Sequence, residues 1–168
     1  KHAIIGRTLG SKAIRMVLDI AGDTMDDIDW VALNGNHMPY PKDRQEIMAE
    51  YRNTGSISMS VKKFLRHTYL RTAYQDKRKR ERAAALLKTG VPENKITFVD
   101  HHLCHASTAY YGLGNFDDDI LVLTNDGAGD GLCATVNVGR KGKIERIASV
   151  PESESIGNIY AMVTFLLG

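Results

Sequence analysis

A short apolar segment that runs directly into a histidine-rich stretch constrains the fold of this chain more than any other feature. Ile96–Val99 has the length and the β-branched content of a buried strand. Asp100, which follows it, is a residue type preferred at helix N-caps. In the helix predicted here His101 and His105 lie four residues apart, so both rings project from one face. The sequence therefore predicts a strand–helix unit with two imidazoles near the end of a strand.

These two imidazoles can be metal ligands or ordinary surface and helix-end histidines. A pair on one helical turn can bind a single divalent cation. His102 points in another direction and occupies the position at which His-Glu-x-x-His zinc proteases carry their general base, so a protease of that type lacks its catalyst here. Cys104 is a candidate soft ligand, although a small buried helix residue is the favoured interpretation. The spacing alone leaves both explanations open.

A second apolar strand, residues 119–124, leads into a segment rich in aspartate and glycine. This segment, Asn125-Asp-Gly-Ala-Gly-Asp-Gly131, predicts a tight turn whose backbone amides can face a phosphate and whose aspartates can bind a metal ion. A hairpin loop without any ligand explains the same residues equally well. Further strands are predicted at residues 132–138 and 144–150, separated by a turn at 139–142.

The beginning of the chain predicts a helix and a strand that end in a polar loop. The helix spans residues 11–21 and is followed by Gly22, and the strand spans residues 30–33. Asn34, Asn36 and His37 follow that strand, at the sheet edge where ligands bind in open α/β folds. An irregular loop without a function is the favoured interpretation of these three residues.

The central part of the chain is strongly basic. Between residues 61 and 90 there are ten Lys and Arg residues against two acidic residues, a local charge of +8 in a chain of net charge +2. Such a segment can bind nucleic acid or steer anionic substrates. No nucleic-acid-binding motif accompanies it, so a solvated helical insert at about residues 41–90 is favoured over these alternatives.

Composition sets broad limits on the class of protein. The chain has 168 residues with 43% hydrophobic and 25% charged residues, as expected for a soluble globular protein. It contains two cysteines, which indicates a reducing compartment, and we expect a cytoplasmic location. No apolar run is long enough to span a membrane. Because the sequence lacks an initiator Met and stops inside a predicted helix, we expect it to be a fragment.

Three motifs follow one another in residues 100–168. They are Asp100-His-His-Leu-Cys-His-Ala-Ser-Thr-Ala-Tyr110, then Asp126-Gly-Ala-Gly-Asp-Gly131, then Ser155-Ile-Gly-Asn-Ile-Tyr160 with Thr164-Phe-Leu-Leu-Gly168. In this order they resemble the histidine motif, the phosphate turn and the following helix of the O-carbamoyltransferases of antibiotic and nodulation-factor biosynthesis. Lys1-His2 also resembles the end of a Glu-Glu-Arg…Lys-His segment of that family.

The resemblance implies an α/β fold of the duplicated actin/sugar-kinase/Hsp70 class, represented here in part by a Kae1-like domain. Residues 1–116 would be the later part of a first subdomain that carries the basic insert. Residues 117–168 would be the start of a second subdomain, with three strands and a helix.

The resemblance also implies a reaction and a set of ligands. Family members make a carbamoyl adenylate from carbamoyl phosphate and ATP, in a YrdC-like domain that this chain lacks, and transfer the carbamoyl group to a substrate hydroxyl. His101, His105 and Asp126 would bind a divalent metal, with Fe²⁺ preferred and Mn²⁺ or Zn²⁺ as alternatives. The residues expected to approach the nucleotide phosphates are Gly127, Gly129, Gly131 and Lys1. For Ser155, Asn158 and Tyr160, helix capping and packing compete with a role in the site, and packing is favoured for Tyr160.

Two other functions stay open. The tRNA threonylcarbamoyl-transfer proteins share the expected fold and a spaced histidine pair, but their His-x-Glu-Gly-His pattern does not fit His102-Leu-Cys. A non-catalytic basic domain that binds nucleic acid or serves as a scaffold is the second alternative. The expected partners are carbamoyl phosphate, ATP and a hydroxyl-bearing small molecule. A membrane is excluded from them, nucleic acid is disfavoured, and the oligomeric state is open, with a homodimer as one option.

Overall fold

A computed structural model of the chain describes residues 11–36, 44–52 and 71–167. Lys1 and His37, two residues singled out from the sequence, lie outside these ranges. The helices are α1 (Ser11–Ala21), α2 (Arg44–Arg52), α3 (Arg71–Leu87), α4 (His101–Leu113) and α5 (Ile156–Leu167), and the strands are β1 (Val31–Asn34), β2 (Ile96–Val99), β3 (Ile120–Gly129), β4 (Leu132–Arg140) and β5 (Lys143–Pro151). Single 3₁₀ turns occupy Glu93–Lys95 and Glu152–Glu154.

The strands β1 and β2 pair in parallel, with Val31 opposite Ile96. Their core contains Leu33, Leu86 and Val91, which are all buried. Leu86 belongs to α3, so the end of the basic segment packs on the parallel strands and is not merely a solvated insert. Contacts between apolar side chains of α3, β1 and β2 shield this end of the basic segment from solvent.

The remaining strands form an antiparallel sheet in the order β3-β4-β5. Helix α4 packs on one face of it, where Ala106, Tyr110 and Val122 are buried. A Cβ atom on Gly139 would lie 2.4 Å from the ring of Tyr110, so a glycine on β4 permits this close approach of helix and sheet. The helix that carries the histidines is therefore fixed against the strand that carries the aspartates.

The prediction of a tight turn over residues 125–131 was wrong in its extent. Strand β3 continues to Gly129, and only Asp130 and Gly131 form the reversal, with φ angles of 52° and 87°. Pairing shifts from Asn125 opposite Ala134 to Gly129 opposite Leu132, so three residues of β3 stand against one of β4. The longer strand bulges at Asp126, which re-aims this side chain. The turn predicted at residues 139–142 is likewise narrower, because β4 extends to Arg140 and β5 begins at Lys143. Lys141 and Gly142, which lie between these strands, have positive φ angles.

The mixture of helices and strands agrees with the predicted α/β class. The predicted elements at residues 11–21 and 96–99 have the predicted bounds, and Gly22 adopts the expected positive φ of 77°. The duplicated actin-like architecture and the division of the chain at residues 116 and 117 stay predictions. Among the described residues, no helix is long and apolar enough to cross a membrane.

Candidate metal centre

Helix α4 begins where the sequence predicts it, at the end of β2. The side chain of Asp100 accepts a hydrogen bond of 2.8 Å from the backbone N–H of Leu103, which satisfies a donor of the first helical turn. Arg146 of strand β5 forms an ion pair with the same carboxylate. The capping carboxylate thus links the start of the helix to the antiparallel sheet.

His101, His105 and Asp126 come together at this end of α4. The Nε2 atom of His101 lies 2.6 Å from Oδ2 of Asp126 and 3.1 Å from Nε2 of His105. The Nε2 atom of His105 lies 3.6 Å from the same carboxylate oxygen. The structure therefore brings together the two histidines and the aspartate that the sequence and the family resemblance singled out.

The cluster is closed on one side and open on the other. The side chain of His101 is 11% exposed, whereas those of Asp126 and His105 are 37% and 53% exposed. Burial raises the pKa of Asp126, but hydrogen bonds from His101 and from the Gly127 amide, together with the nearby imidazoles, outweigh this effect and hold the pKa below its ordinary value. Asp126 is consequently an anion at neutral pH and is accessible to solvent beside His105.

His102 points away from this cluster, as predicted. Its ring is fully buried, with Nδ1 2.8 Å from the hydroxyl of Thr124 and Nε2 3.1 Å from the carbonyl of Leu132. Thr124 continues the chain of hydrogen bonds to Thr135 at 2.7 Å, and Asn137 donates to Thr135 at 2.8 Å. Both nitrogens of His102 are engaged inside the fold, so this imidazole is a structural residue.

Asp130, which the sequence analysis considered only as one of two aspartates that can bind a metal ion, is not part of the cluster of His101, His105 and Asp126. Its Oδ2 accepts hydrogen bonds from the backbone N–H of Asn36 at 2.8 Å, the amide side chain of Asn36 at 3.2 Å and the backbone N–H of His101 at 2.9 Å. Asp130 thereby joins the β3–β4 turn to the end of β1 and to the first residue of α4. The signal in the sequence was its place in the Asp/Gly-rich segment, which a turn without a ligand explains equally well.

The basic segment reaches the same region through Arg82 of α3. Its guanidinium donates to the carbonyls of Gly35 at 2.6 Å and Asn34 at 2.8 Å. Burial lowers the pKa of Arg82, while the nearby charge of Asp130 raises it in part. Asn34 and Asn36 thus have structural contacts in the loop after β1.

The three glycines expected to approach phosphate differ in their surroundings. A Cβ atom on Gly127 would lie 3.3 Å from the side-chain oxygen of Asn158, whereas on Gly129 it would lie 2.0 Å from the ring of His101. Gly131 has a positive φ and is required by the hairpin. No phosphate contact is tested by these observations, so the phosphate role of the glycines stays a prediction.

Three further residues were considered in the sequence analysis, and the structure agrees with the favoured interpretation for some of them and not for others. Cys104 has its sulfur 3.9 Å from the carbonyl of Val99, and burial raises the pKa of its thiol, so it is a neutral helix residue rather than a thiolate ligand. Ser155 accepts a hydrogen bond of 3.1 Å from the N–H of Asn158 and caps α5. Tyr160 is 74% exposed, so the favoured packing role for this residue was wrong.

The residues of the cluster fit a divalent cation. Their donor atoms, two imidazole nitrogens and a carboxylate oxygen, all lie within 4.8 Å of one another. Atoms that bind one ion at about 2.0–2.2 Å lie roughly 3.0–3.5 Å apart, which is close to the separations observed here. Imidazole and carboxylate together suit Fe²⁺, Mn²⁺ or Zn²⁺ and leave coordination positions for a ligand.

Comparison with known proteins gives matches over almost the whole chain. The sequence profile of the carbamoyltransferase N-terminus matches residues 9–168. The nodulation protein NolNO of Sinorhizobium fredii is 29% identical over 160 residues, which cover 95% of this chain and 21% of that protein. The uncharacterized protein MJ1051 of Methanocaldococcus jannaschii is 35% identical over 74 residues, which cover 44% of this chain and 14% of that protein. The chain thus spans about a fifth of the length of the first relative.

Proposed function

This chain belongs to the carbamoyltransferase N-terminal family, and we propose that it is part of a metal- and nucleotide-dependent O-carbamoyltransferase. In the proposed reaction, carbamoyl phosphate and ATP supply a carbamoyl adenylate. The carbamoyl carbon then forms a bond to a substrate hydroxyl oxygen as its bond to the adenylate phosphate oxygen breaks, and AMP and the hydroxyl proton are released. The convergence of His101, His105 and Asp126 is the observation that supports this proposal most directly.

The proposed roles of the three side chains follow from their exposure and contacts. Nε2 of His101 lies 2.6 Å from Oδ2 of Asp126, so both of these donor atoms face the cluster. His105 lies at the exposed edge, where an incoming ligand can reach it. A divalent ion held by these residues would act as a Lewis acid toward the carbamoyl oxygen or a phosphate oxygen.

The contacts around the cluster hold its donor atoms in place. Asp130 and Arg82 fix the surrounding loop, so the donor atoms are held in place before a ligand arrives. We keep Gly127, Gly129 and Gly131 as candidates for close approach of the nucleotide phosphates, because glycine leaves backbone amides accessible. Lys1 remains a candidate phosphate contact, and the expected cytoplasmic location remains a prediction.

A nucleic-acid-binding role for the basic segment has less support. Arg78 is buried beside Glu81, and Arg82 donates to two backbone carbonyls. Basic residues that are engaged inside the fold are not available to bind a phosphate backbone, which depends on exposed cations. We propose a small molecule as the hydroxyl-bearing acceptor, as the family resemblance implies.

The substitution His105→Ala tests the proposed function. We expect the purified wild-type protein to bind Fe²⁺, Mn²⁺ or Zn²⁺ in elemental analysis and calorimetry, and the variant to lose at least a hundredfold in affinity because one of three ligands is removed. Carbamoyl transfer from carbamoyl phosphate and ATP should be lost with the metal.

Thr108→Ala provides the matched control, because Thr108 lies on the same helix, is exposed and donates a hydrogen bond to the carbonyl of Cys104 one turn away. This variant should bind metal as the wild type does. A wild-type protein that takes up no divalent metal, or a His105→Ala variant with unchanged affinity, would contradict the proposed function.

A further inference from the structure

The imidazole of His101 lies directly against the backbone of strand β3 at Gly129. A Cβ atom on Gly129 would lie 2.0 Å from Cδ2, 2.3 Å from Cγ and 2.6 Å from Nε2 of His101. Real Cβ atoms essentially never approach other atoms so closely. Gly129 is not among the glycines with positive φ, so its backbone conformation is open to other residues. The ring of His101, and not the backbone, is what requires a glycine here.

Few other contacts determine the orientation of this ring. Its Nε2 atom is 2.6 Å from Asp126. Its Nδ1 atom is buried and has no hydrogen-bond partner within residues 11–36, 44–52 and 71–167. In most metal-binding histidines the second nitrogen donates to a carboxylate or carbonyl, which fixes the ring. The ring also makes edge-to-face contacts with the rings of His102 and His105, and packing against β3 closes the remaining side of the imidazole at Gly129.

We propose that Gly129 is a positioning residue of the metal centre, which provides the space in which Nε2 of His101 faces Asp126. The inference rests on the proposed metal-dependent function. The inference gives Gly129, the middle glycine of the Asp/Gly motif, a role distinct from the close approach of its backbone to phosphate. An alanine at this position must displace the ring, and the displaced ring can no longer present Nε2 beside the carboxylate.

The chain offers two matched control positions. A Cβ atom on Gly139 would lie 2.4 Å from the ring of Tyr110, which is on the same helix α4 and follows His105 by more than one helical turn. A Cβ atom on Gly112, also in α4, would meet nothing within 4 Å. Gly139→Ala therefore imposes a similar steric conflict without contacting His101, and Gly112→Ala imposes none.

The experiment measures Mn²⁺ affinity by calorimetry and the melting temperature for the wild type and the three variants. We expect Gly129→Ala to lower the Mn²⁺ affinity at least tenfold under conditions where the protein is folded. Gly139→Ala should lower the melting temperature and leave the affinity of the folded protein within about twofold, and Gly112→Ala should reduce neither quantity. Unchanged Mn²⁺ affinity in Gly129→Ala would overturn the inference.

A double-mutant cycle with His101→Ala tests the contact itself. Gly129→Ala should lower the melting temperature of the wild type but cause no further loss in the His101→Ala protein, because the ring it would displace is gone. If Gly129→Ala alone fails to fold, the double variant should fold again. A loss that persists in the absence of the ring would refute the contact. A wild type that binds none of Mn²⁺, Fe²⁺ and Zn²⁺ would refute the proposed function, while the melting-temperature cycle would still decide the contact between Gly129 and His101.

Discussion

His101 and His102 are adjacent in the sequence but lie in different surroundings on helix α4. His102 is fully buried, and both of its nitrogens have hydrogen-bond partners in the antiparallel sheet. His101 faces the other way, where its Nε2 atom converges with His105 on the carboxylate of Asp126. Side chains with all their polar atoms paired contribute to the fold, whereas converging donors at a partly open edge can bind a ligand.

The same contrast separates the two aspartates of the β3–β4 hairpin. Asp130 is buried and accepts three hydrogen bonds, from the backbone and side chain of Asn36 and from the backbone of His101. Asp126 is partly exposed and contacts the imidazoles. A single Asp/Gly motif thus contains one residue that fixes the hairpin and one that belongs to the candidate site.

The largest expected effect is at His102, on the buried side of α4. His102→Ala removes a fully buried ring and leaves Thr124 and the carbonyl of Leu132 with fewer partners. We expect the free energy of unfolding to fall by about 3–4 kcal/mol. Chemical denaturation of the metal-free protein measures this loss, with His105→Ala as the exposed histidine of comparison. A loss of stability in His105→Ala that exceeds the loss in His102→Ala would contradict this difference between the buried and the exposed side of α4.

An intermediate effect is expected at Asp130. Asp130→Ala removes an acceptor of three hydrogen bonds and leaves the N–H groups of Asn36 and His101 unpaired, so stability should fall by about 2–3 kcal/mol. Because Asp130 holds the first residue of α4, metal affinity should also fall about 10–100-fold.

The control for this prediction is Asp130→Asn. Asparagine tolerates the positive φ of 52° and retains one acceptor oxygen, so it should recover part of both losses. Denaturation and Mn²⁺ calorimetry on the two variants check this order. Wild-type metal affinity in Asp130→Ala would show that the hairpin positions the cluster without this carboxylate.

The smallest expected effect is the pH dependence contributed by Asp126. The pKa of this carboxyl group is lower in the folded protein than its ordinary value, so its ionised form stabilises the fold. This contribution is present at neutral pH and is lost as the pH falls through the folded pKa, below about pH 4. The stability difference between the metal-free wild type and Asp126→Asn should therefore shrink in that range. Denaturation curves recorded from pH 7 to pH 3 measure this stability difference between the two proteins. A stability difference that grows toward acid pH would contradict the lowered pKa of Asp126.

Much of the local structure could be predicted because it depends on neighbours in the sequence. The strand at residues 96–99, the Asp100 cap and the two histidines on one helical turn follow from composition and from the geometry of one turn. The extent of the turn after β3 could not be predicted in this way. The glycine and aspartate residues of this segment are compatible both with a broad loop and with a strand that bulges and continues to Gly129, as observed.

The sequence by itself determined the strand–helix unit, the spacing of His101 and His105 and the membership of the chain in its family, because these features are local or carried by motifs. Only the tertiary structure decided that Asp126 meets the imidazoles while Asp130 is buried against the helix start. It also decided that Gly129 lies under the ring of His101. These contacts join residues 21 to 29 positions apart, and they depend on the register of β3 and β4 and on their packing against α4. Such pairings are fixed by the whole fold and leave no periodic signal in the residues themselves.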